Sequence, residues 1–210
     1  MMNRRTLMHT AAALAAAAGA LPALAADEAP DVLVKRLSSD VLEAARKDKS
    51  VKAGDMGTIV ALVDKMVLPH VNFRRMTAGA VGPAWRGATP EQRQRLQDEF
   101  TRLLVRTYAG ALAQVTDQTI AVRPLRMAAG DTDVLVRTEI RGHGEPVQLD
   151  YRLEKTPGEG AGWKIYNMNV LGIWLVETYR SQFAQEINAK GLDGLIQALV
   201  QRNQANGGGK

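Results

Sequence analysis

The sequence predicts an α+β fold in which a curved antiparallel sheet of about four strands is packed on one face by several helices. Apolar residues recur at helical spacing between about residues 30 and 115, and again after residue 171. Between about residues 118 and 170 they alternate with polar residues, which is the period of a strand. Short connections that contain glycine separate the alternating segments and favour antiparallel hairpins.

The N-terminal segment has the pattern of a cleavable secretory signal peptide. Arg4 and Arg5 precede a run of alanine and leucine that ends in the small-x-small site Ala23-Leu24-Ala25. The run is too short and too rich in alanine for a stable membrane span. We therefore predict a signal peptide at residues 1–25, a single domain at 26–203 and a disordered tail at 204–210. The expected location is the periplasm, and the arginine pair leaves Sec and twin-arginine export both open.

The composition limits the class of partner. The formal net charge of +5 becomes +3 when Arg4 and Arg5 leave with the signal peptide. So small an excess does not call for a nucleic-acid partner, and it is compatible with anionic lipid headgroups. The chain has no cysteine, so export adds no disulfide, and stability must come from a well-filled core.

Helical patterns flank the predicted sheet on both sides. The clearest helix begins at Pro90, because Thr89 is a good N-cap and Gln92 completes a capping box. Its apolar positions form one stripe, which predicts packing against a neighbouring layer. The predicted helical segments are 30–48, 55–67, about 72–79, 90–115, 174–187 and 190–203.

Four segments alternate between apolar and polar residues and are predicted strands: 118–127, 134–142, 146–155 and 162–170. One face of this sheet is apolar and the other is charged. A plausible register sets charged residues opposite one another, as Arg137 with Glu154, Glu139 with Arg152 and Arg141 with Asp150. We interpret the charged face as a solvated surface.

Catalytic constellations are mostly missing from the sequence. It has no cysteine nucleophile, no Gly-x-Ser-x-Gly elbow, no His-Glu-x-x-His pair and no phosphate-binding glycine loop. His143 lies in a predicted hairpin turn, where a surface role is expected. His70 follows Pro69 and could be a buried hydrogen-bonded residue, a headgroup contact or a base paired with a carboxylate such as Asp64. We predict no enzyme, no cofactor and no metal site, with a small-molecule isomerase or hydratase as the alternative.

Aromatic residues concentrate near the end of the predicted sheet. Five of the ten aromatic residues lie between positions 163 and 183: Trp163, Tyr166, Trp174, Tyr179 and Phe183. A curved sheet that faces helices can close on itself or leave a cavity open at one end. The periodicity of the sequence does not distinguish an ordinary core from a cavity wall.

Several stretches together resemble one known family. They are W-x(3)-T-P-E-Q-R from Trp85 to Arg93, LLVRTYAGAL at 103–112 and VETYRSQF at 176–183. The chain resembles the MlaC proteins, also called the toluene-tolerance or Ttg2 family, over about residues 65 to 205. The resemblance implies a periplasmic phospholipid-binding protein of an ABC transport system, with two acyl chains held in an internal apolar cavity. The implied partners are an outer-membrane lipoprotein complex and an inner-membrane complex that contains an MCE protein.

Candidate site residues follow from the apolar faces and from basic residues in the irregular 70–88 segment. The predicted lipid-lining set is Leu104, Tyr108, Leu112, Val134, Val136, Leu149, Tyr151, Trp163, Met168, Val170, Ile173 and Trp174. The predicted headgroup set is Arg74, Arg75 and Arg86. We expect a monomer, and a hopanoid-like lipid remains open as the alternative cargo.

Overall fold

The computed structural model describes residues 28–142 and 144–207 of the chain. The predicted signal peptide and the predicted turn at His143 lie outside these residues. Six helices, two short 3-10 turns and six strands are described. The helices are α1 Pro30–Lys47, α2 Lys49–Lys52, α3 Met56–Met66, α4 Phe73–Val81, α5 Pro90–Ala113 and α6 Leu175–Gly207. The strands are β1 Thr119–Val122, β2 Asp133–Val136, β3 Thr138–Arg141, β4 Val147–Lys155, β5 Trp163–Val170 and β6 Ile173–Trp174.

The helix boundaries agree closely with the sequence pattern. Thr89 and Gln92 form the predicted capping box at the start of α5, because each side chain accepts a hydrogen bond from the backbone N–H of the other residue. Gly191 interrupts α6 with a φ of 70°, so the chain forms two helical segments there. The second segment continues to Gly207, four residues into the predicted tail. Within the described part of the chain, the helices are too short or too polar to cross a bilayer.

The sheet confirms the predicted class but contains six strands rather than four. Its order is β1-β3-β4-β5-β6, and β2 also pairs with β4, with every pair antiparallel. The extra strands arise because the predicted strand at 134–142 breaks at Arg137 and because β6 follows a tight turn after β5. At the break, the Thr138 N–H donates to the Asp150 carboxylate (3.1 Å), a side chain rather than the backbone ladder.

The predicted charge-paired register is wrong. Leu135, not Glu139, lies opposite Arg152, and Glu139 lies opposite Gln148. The pairing is displaced by four residues, an even number, so every side chain keeps the face that alternation assigned to it. Apolar pairs occupy the buried face instead, with Val134 opposite Leu153.

A β-bulge in β5 shifts the alternation of side chains between the two faces of the sheet. Arg152 pairs with Asn167 and Leu153 pairs with Ile165, so Tyr166 is an extra residue in β5. We call the side that carries Leu153 and Ile165 the inner face, and the side that carries Arg152 the outer face. The bulge changes the alternation, so that Met168 returns to the inner face.

The buried apolar residues form three groups rather than one core. The helix cluster joins α4, α5 and α6 around Phe100, which lies edge-to-face with Tyr179 and Phe183 at ring distances of 5.0 and 5.2 Å. The sheet cluster joins α1 to the inner face of β2, β4 and β5. A third cluster lies between α1, α2, α3 and α5. Val71 and Met168 pack against both the helix cluster and the sheet cluster.

Candidate functional site

The inner face of β5 and β6 is an apolar strip whose exposure increases along its length. Trp163 is 3% exposed and Ile165 is also buried. Met168 and Val170, beyond the bulge, are partly buried. Ile173, which pairs with Val170, is 57% exposed. The strip, which we define as Trp163, Ile165, Met168, Val170 and Ile173, therefore leads from the protein interior to solvent.

Different elements cover the two ends of the strip. At the buried end, Leu33, Val34 and Leu37 of α1 pack on the sheet cluster. At the other end, Met168 and Val170 pack against the helix cluster. The strip therefore runs from the sheet cluster, which contains Trp163 and Ile165, to the helix cluster, against which Met168 and Val170 pack.

A turn of uncommon geometry continues the strip into solvent. Leu171 has a φ of 52° and Gly172 a φ of 87°, which joins β5 to β6 in two residues. Leucine seldom adopts a positive φ. The side chain of Leu171 is 62% exposed. Val147, at the start of the neighbouring β4, is also exposed. Leu171, Ile173 and Val147 form an exposed apolar tip at this end of the sheet.

The structure brings only part of the predicted lining set together. Val134, Val136, Tyr151 and Trp163 belong to the sheet cluster, and Leu149 packs against it. Met168, Val170 and Ile173 continue on the same face. The remaining members are placed elsewhere: Leu104 in the helix cluster, Leu112 beside the third cluster, Tyr108 at 39% exposure on α5 and Trp174 on the outer face. The lining role of the whole set stays a prediction.

Tyr151 places a polar group within the sheet cluster. Its hydroxyl lies 3.4 Å from the Ser38 hydroxyl of α1, so either group can donate. Burial raises the pKa of Tyr151 to about 12. The phenol is therefore neutral over the physiological range, and it links α1 to the sheet.

The outer face carries a second site, which several charged side chains line. A cavity of about 540 Å³ lies where α4, the 3-10 turn at Gly82–Gly87, β5 and the start of α6 meet. Arg75, Arg86, Arg152 and Arg180 contribute four guanidinium groups to its wall, against the one carboxylate of Glu177. We call this cavity the arginine pocket. Side chains alternate along β4, so Arg152 points to the opposite face of the sheet from Tyr151 and Leu153. The pocket and the apolar strip therefore lie on opposite faces.

Arg75 is fixed at the edge of this pocket by three contacts. Its guanidinium donates to Glu154 at 2.6 Å and to Asp133 at 2.9 Å, and it lies over the Tyr166 ring. The Tyr166 hydroxyl also donates to Asp133 at 2.8 Å. Burial, together with this hydrogen bond, raises the pKa of Tyr166 to about 12.

Of the predicted headgroup arginines, Arg75 and Arg86 lie on the pocket wall, whereas Arg74 is exposed on α4 and is not part of the wall. Their role toward a headgroup stays a prediction. Sequence reasoning missed Arg152, Arg180 and Glu177, which come from β4 and α6. The segment VETYRSQF contains the last two, but nothing in its spacing indicated that it would meet β4 and α4.

His70, the candidate base in the sequence, is partly buried between α3 and α4. Burial, and then the charge of Arg36, lower the pKa of His70, while Glu28 acts in the opposite direction. The charged groups that affect His70 are thus Arg36 and Glu28, and Asp64 is not among them. Across residues 28–142 and 144–207, no three histidine or acidic side chains come together to hold a metal ion.

Comparison with known proteins agrees with the sequence resemblance. The family model described as "MlaC protein" matches residues 35–201. The chain is 27% identical over 169 residues to the toluene tolerance protein Ttg2D of Pseudomonas putida, across 80% of this chain and 77% of the relative. It is 24% identical over 178 residues to the intermembrane phospholipid transport system binding protein MlaC of Haemophilus influenzae, across 84% of this chain and 83% of the relative.

A solved structure shares this fold. It is the phospholipid-binding protein of Ralstonia solanacearum in complex with a phospholipid, which is 47% identical to this chain. The TM-score is 0.80, and the match covers 84% of this chain and 98% of the other. The family match extends over more than half of the sequence, from α1 into the second segment of α6. The chain belongs to the MlaC family.

Proposed function

We propose that this protein binds a phospholipid along the apolar strip and carries it across the periplasm. The observation that carries the proposal is the continuous change in exposure along the strip, from buried Trp163 to exposed Ile173. The phospholipid named for the Ralstonia solanacearum protein, which is 47% identical, supports the same ligand class.

The free-energy cost of exposing acyl chains to water explains why a carrier needs such a strip. Removing one methylene from water gains about 0.8 kcal/mol, so exposing two chains of ~15 methylenes costs on the order of 24 kcal/mol. A free phospholipid therefore cannot cross an aqueous compartment quickly. A carrier must offer a dry, apolar surface, and its net preference over a bilayer must be small enough to permit unloading. Neither requirement needs a catalytic residue, so we propose no chemical step.

The acyl chains would enter by separating the helix cluster from the sheet cluster. Val71 and Met168 contact both the helix cluster and the sheet cluster, and both are only partly buried. Displacing these side chains would open the space between α1, the inner face and the helices. The flexible, unbranched side chain of methionine suits a position that must pack with and without ligand.

The exposed end of the strip fits the opening through which the acyl chains would enter between the two clusters. Leu171, Ile173 and Val147 would contact the acyl chains, or the membrane surface, while the headgroup stays in solvent. The partners that we propose are an outer-membrane lipoprotein complex and an inner-membrane MCE-containing ABC transport complex. Exchange between them would serve outer-membrane lipid asymmetry, with the direction set by the partners and by ATP use rather than by the carrier.

Native mass spectrometry of the protein purified without detergent, followed by extraction and identification of the ligand, tests this proposal. We expect a stoichiometric phospholipid with two acyl chains. A hopanoid would keep the carrier and change the cargo. If the purified protein carries no lipid and also takes up none from phospholipid vesicles, lipid carriage is refuted and the isomerase or hydratase alternative is favoured.

A matched pair of variants locates the ligand. Met168→Trp adds bulk between the two clusters, and overpacking of this kind should lower phospholipid occupancy by about tenfold. Met127→Trp changes a residue that is exposed and outside the strip, so its occupancy should equal that of the wild type. Equal occupancy in both folded variants would remove the strip from the site.

A further inference from the structure

The arginine pocket lies on the opposite face of the sheet from the apolar strip, so acyl chains on the strip do not explain it. We propose that this pocket binds the phosphate of a phosphate ester, either a membrane-lipid headgroup or a soluble phosphate compound. The proposal goes beyond lipid carriage, because the two sites are separated by the sheet and can be tested independently.

Two of the four arginines are not paired with a carboxylate of the described residues, so their positive charge is available to a ligand. Arg75 is already paired with Glu154 and Asp133, and Arg152 lies 3.4 Å from Glu177. Arg180 uses its Nε to donate to the carbonyl of Gly79 at 2.7 Å, and no carboxylate among the described residues pairs with it. Arg86 is exposed, and its guanidinium has no hydrogen bond or ion pair to another described residue. The wall therefore keeps an unbalanced positive charge.

The one acidic residue on the wall is held in a fixed position. The Glu177 carboxylate accepts from Arg152 and from the buried side chain of Asn167, at 2.8 Å from its Nδ2. The Asn167 carbonyl in turn accepts from the backbone N–H groups of Met168 and Val176. Glu177 thus orients Arg152 and is partly neutralised by it, so it does not cancel the charge of Arg86 and Arg180.

The backbone around the pocket is also fixed. A Cβ at Gly79 would lie 2.8 Å from Val176 Cγ1, so only glycine permits this close approach of α4 to α6. That approach brings Arg180 against the last turn of α4. Arg152 is further held by stacking over Trp174 at 4.4 Å. Arg180 and Arg152 are therefore held before binding, and a side chain that is already held loses less entropy when a ligand arrives.

The chemistry and size of the pocket indicate the class of ligand. Guanidinium groups form paired, planar hydrogen bonds to phosphate oxygens, and arginine is the side chain that best matches this geometry. A volume of about 540 Å³ exceeds what a bare phosphate fills, so there is room for a polar substituent such as glycerol. A phosphate ester therefore fits better than an isolated inorganic ion.

The first experiment is calorimetric titration of the purified full chain with inorganic phosphate and with glycerol 3-phosphate. We expect saturable binding, tighter for the ester, that weakens as salt is added. Arg86→Gln and Arg180→Gln should each weaken binding by about tenfold, since each removes a charged hydrogen bond. Arg95→Gln, an exposed arginine of α5 away from the pocket, is the charge-matched control and should bind as the wild type does. If Arg180→Gln does not fold, the comparison of Arg86→Gln with Arg95→Gln still tests the proposal.

The second experiment identifies the source of the phosphate by sedimentation with vesicles of phosphatidylcholine, with or without phosphatidylglycerol. Binding that depends on phosphatidylglycerol, and is lost in Arg86→Gln but not in Arg95→Gln, supports a lipid headgroup. Glycerol 3-phosphate binding without vesicle binding supports a soluble phosphate ester. The absence of saturable binding in both experiments, or equal weakening in Arg86→Gln and Arg95→Gln, would overturn the proposal.

Discussion

The Arg75 guanidinium lies 3.4 Å from the centroid of the Tyr166 ring, and its contacts join α4 to three strands of the sheet. Tyr166 is the extra residue of the β5 bulge, so the contact depends on an irregularity of the strand. The same guanidinium bonds Glu154 of β4 and Asp133 of β2. One side chain therefore holds the first turn of α4 against the outer face of the sheet.

Arg75→Gln should lower the free energy of unfolding by about 1–3 kcal/mol, because it leaves the partly buried Glu154 carboxylate without its charged partner. Urea denaturation measures this change. Lys47→Gln is the control, since it removes an ion pair with Glu43 whose lysine is 74% exposed, and pairs of that kind contribute below ~0.5 kcal/mol. Equal changes in the two variants would show that the Arg75 contacts contribute little.

The approach of α4 to α6 gives a second prediction. Gly79→Ala should destabilise the fold by about 1–3 kcal/mol, because the new Cβ would overlap Val176 and push the helices apart. Gly110→Ala in α5 adds a methyl group that meets no atom within 4 Å. Alanine at such an exposed helical position should stabilise by about 0.5–1 kcal/mol. Thermal unfolding of both variants checks the opposite signs, and a neutral Gly79→Ala would contradict the tight crossing.

Stability at alkaline pH should depend on Tyr151. Its pKa is about 12 in the folded chain, against about 10 for an unperturbed tyrosine. Between these values the unfolded chain loses the proton while the folded chain keeps it. The stability that this phenol contributes is therefore complete below about pH 10 and is lost as the pH rises toward 12.

Urea denaturation at about pH 9 and about pH 11 checks the Tyr151 effect, since these values lie on either side of the ordinary tyrosine pKa. The wild type should lose more stability between them than Tyr151→Phe, which has no proton to release at this position. Other ionisable groups act equally in both proteins. Identical losses would mean that Tyr151 is not the buried titrating group.

Leu171 offers a test in which stability and proposed transport change in opposite directions. Asparagine tolerates a φ of 52° better than leucine, so Leu171→Asn should stabilise the turn by up to about 1 kcal/mol. If the apolar tip guides lipid exchange, the same variant should transfer phospholipid to acceptor vesicles more slowly. Met127→Asn also removes an exposed apolar side chain, but away from the strip, and should transfer normally. Normal transfer by Leu171→Asn would remove the tip from the route.

The sequence specified local structure well where local interactions decide it. Thr89, Pro90 and Gln92 predicted the start of α5, since a capping box needs only residues within one turn. Strand alternation correctly assigned Val134, Val136 and Tyr151 to the buried face. The strand register was wrong because a displacement of four residues leaves every face unchanged, and charged pairs on a solvated surface are too weak to select it.

By itself, the sequence determined the fold class, most of the helix boundaries, the family and which faces of its elements are apolar. Only the tertiary structure decided which residues of these faces meet. It separated Tyr108 and Trp174 from the strip and placed Arg152 and Arg180, from β4 and α6, beside Arg75 and Arg86. The physical reason is that periodicity encodes the direction of a side chain within its own element. The β5 bulge and the close approach at Gly79 arise from packing between elements that are distant in the chain.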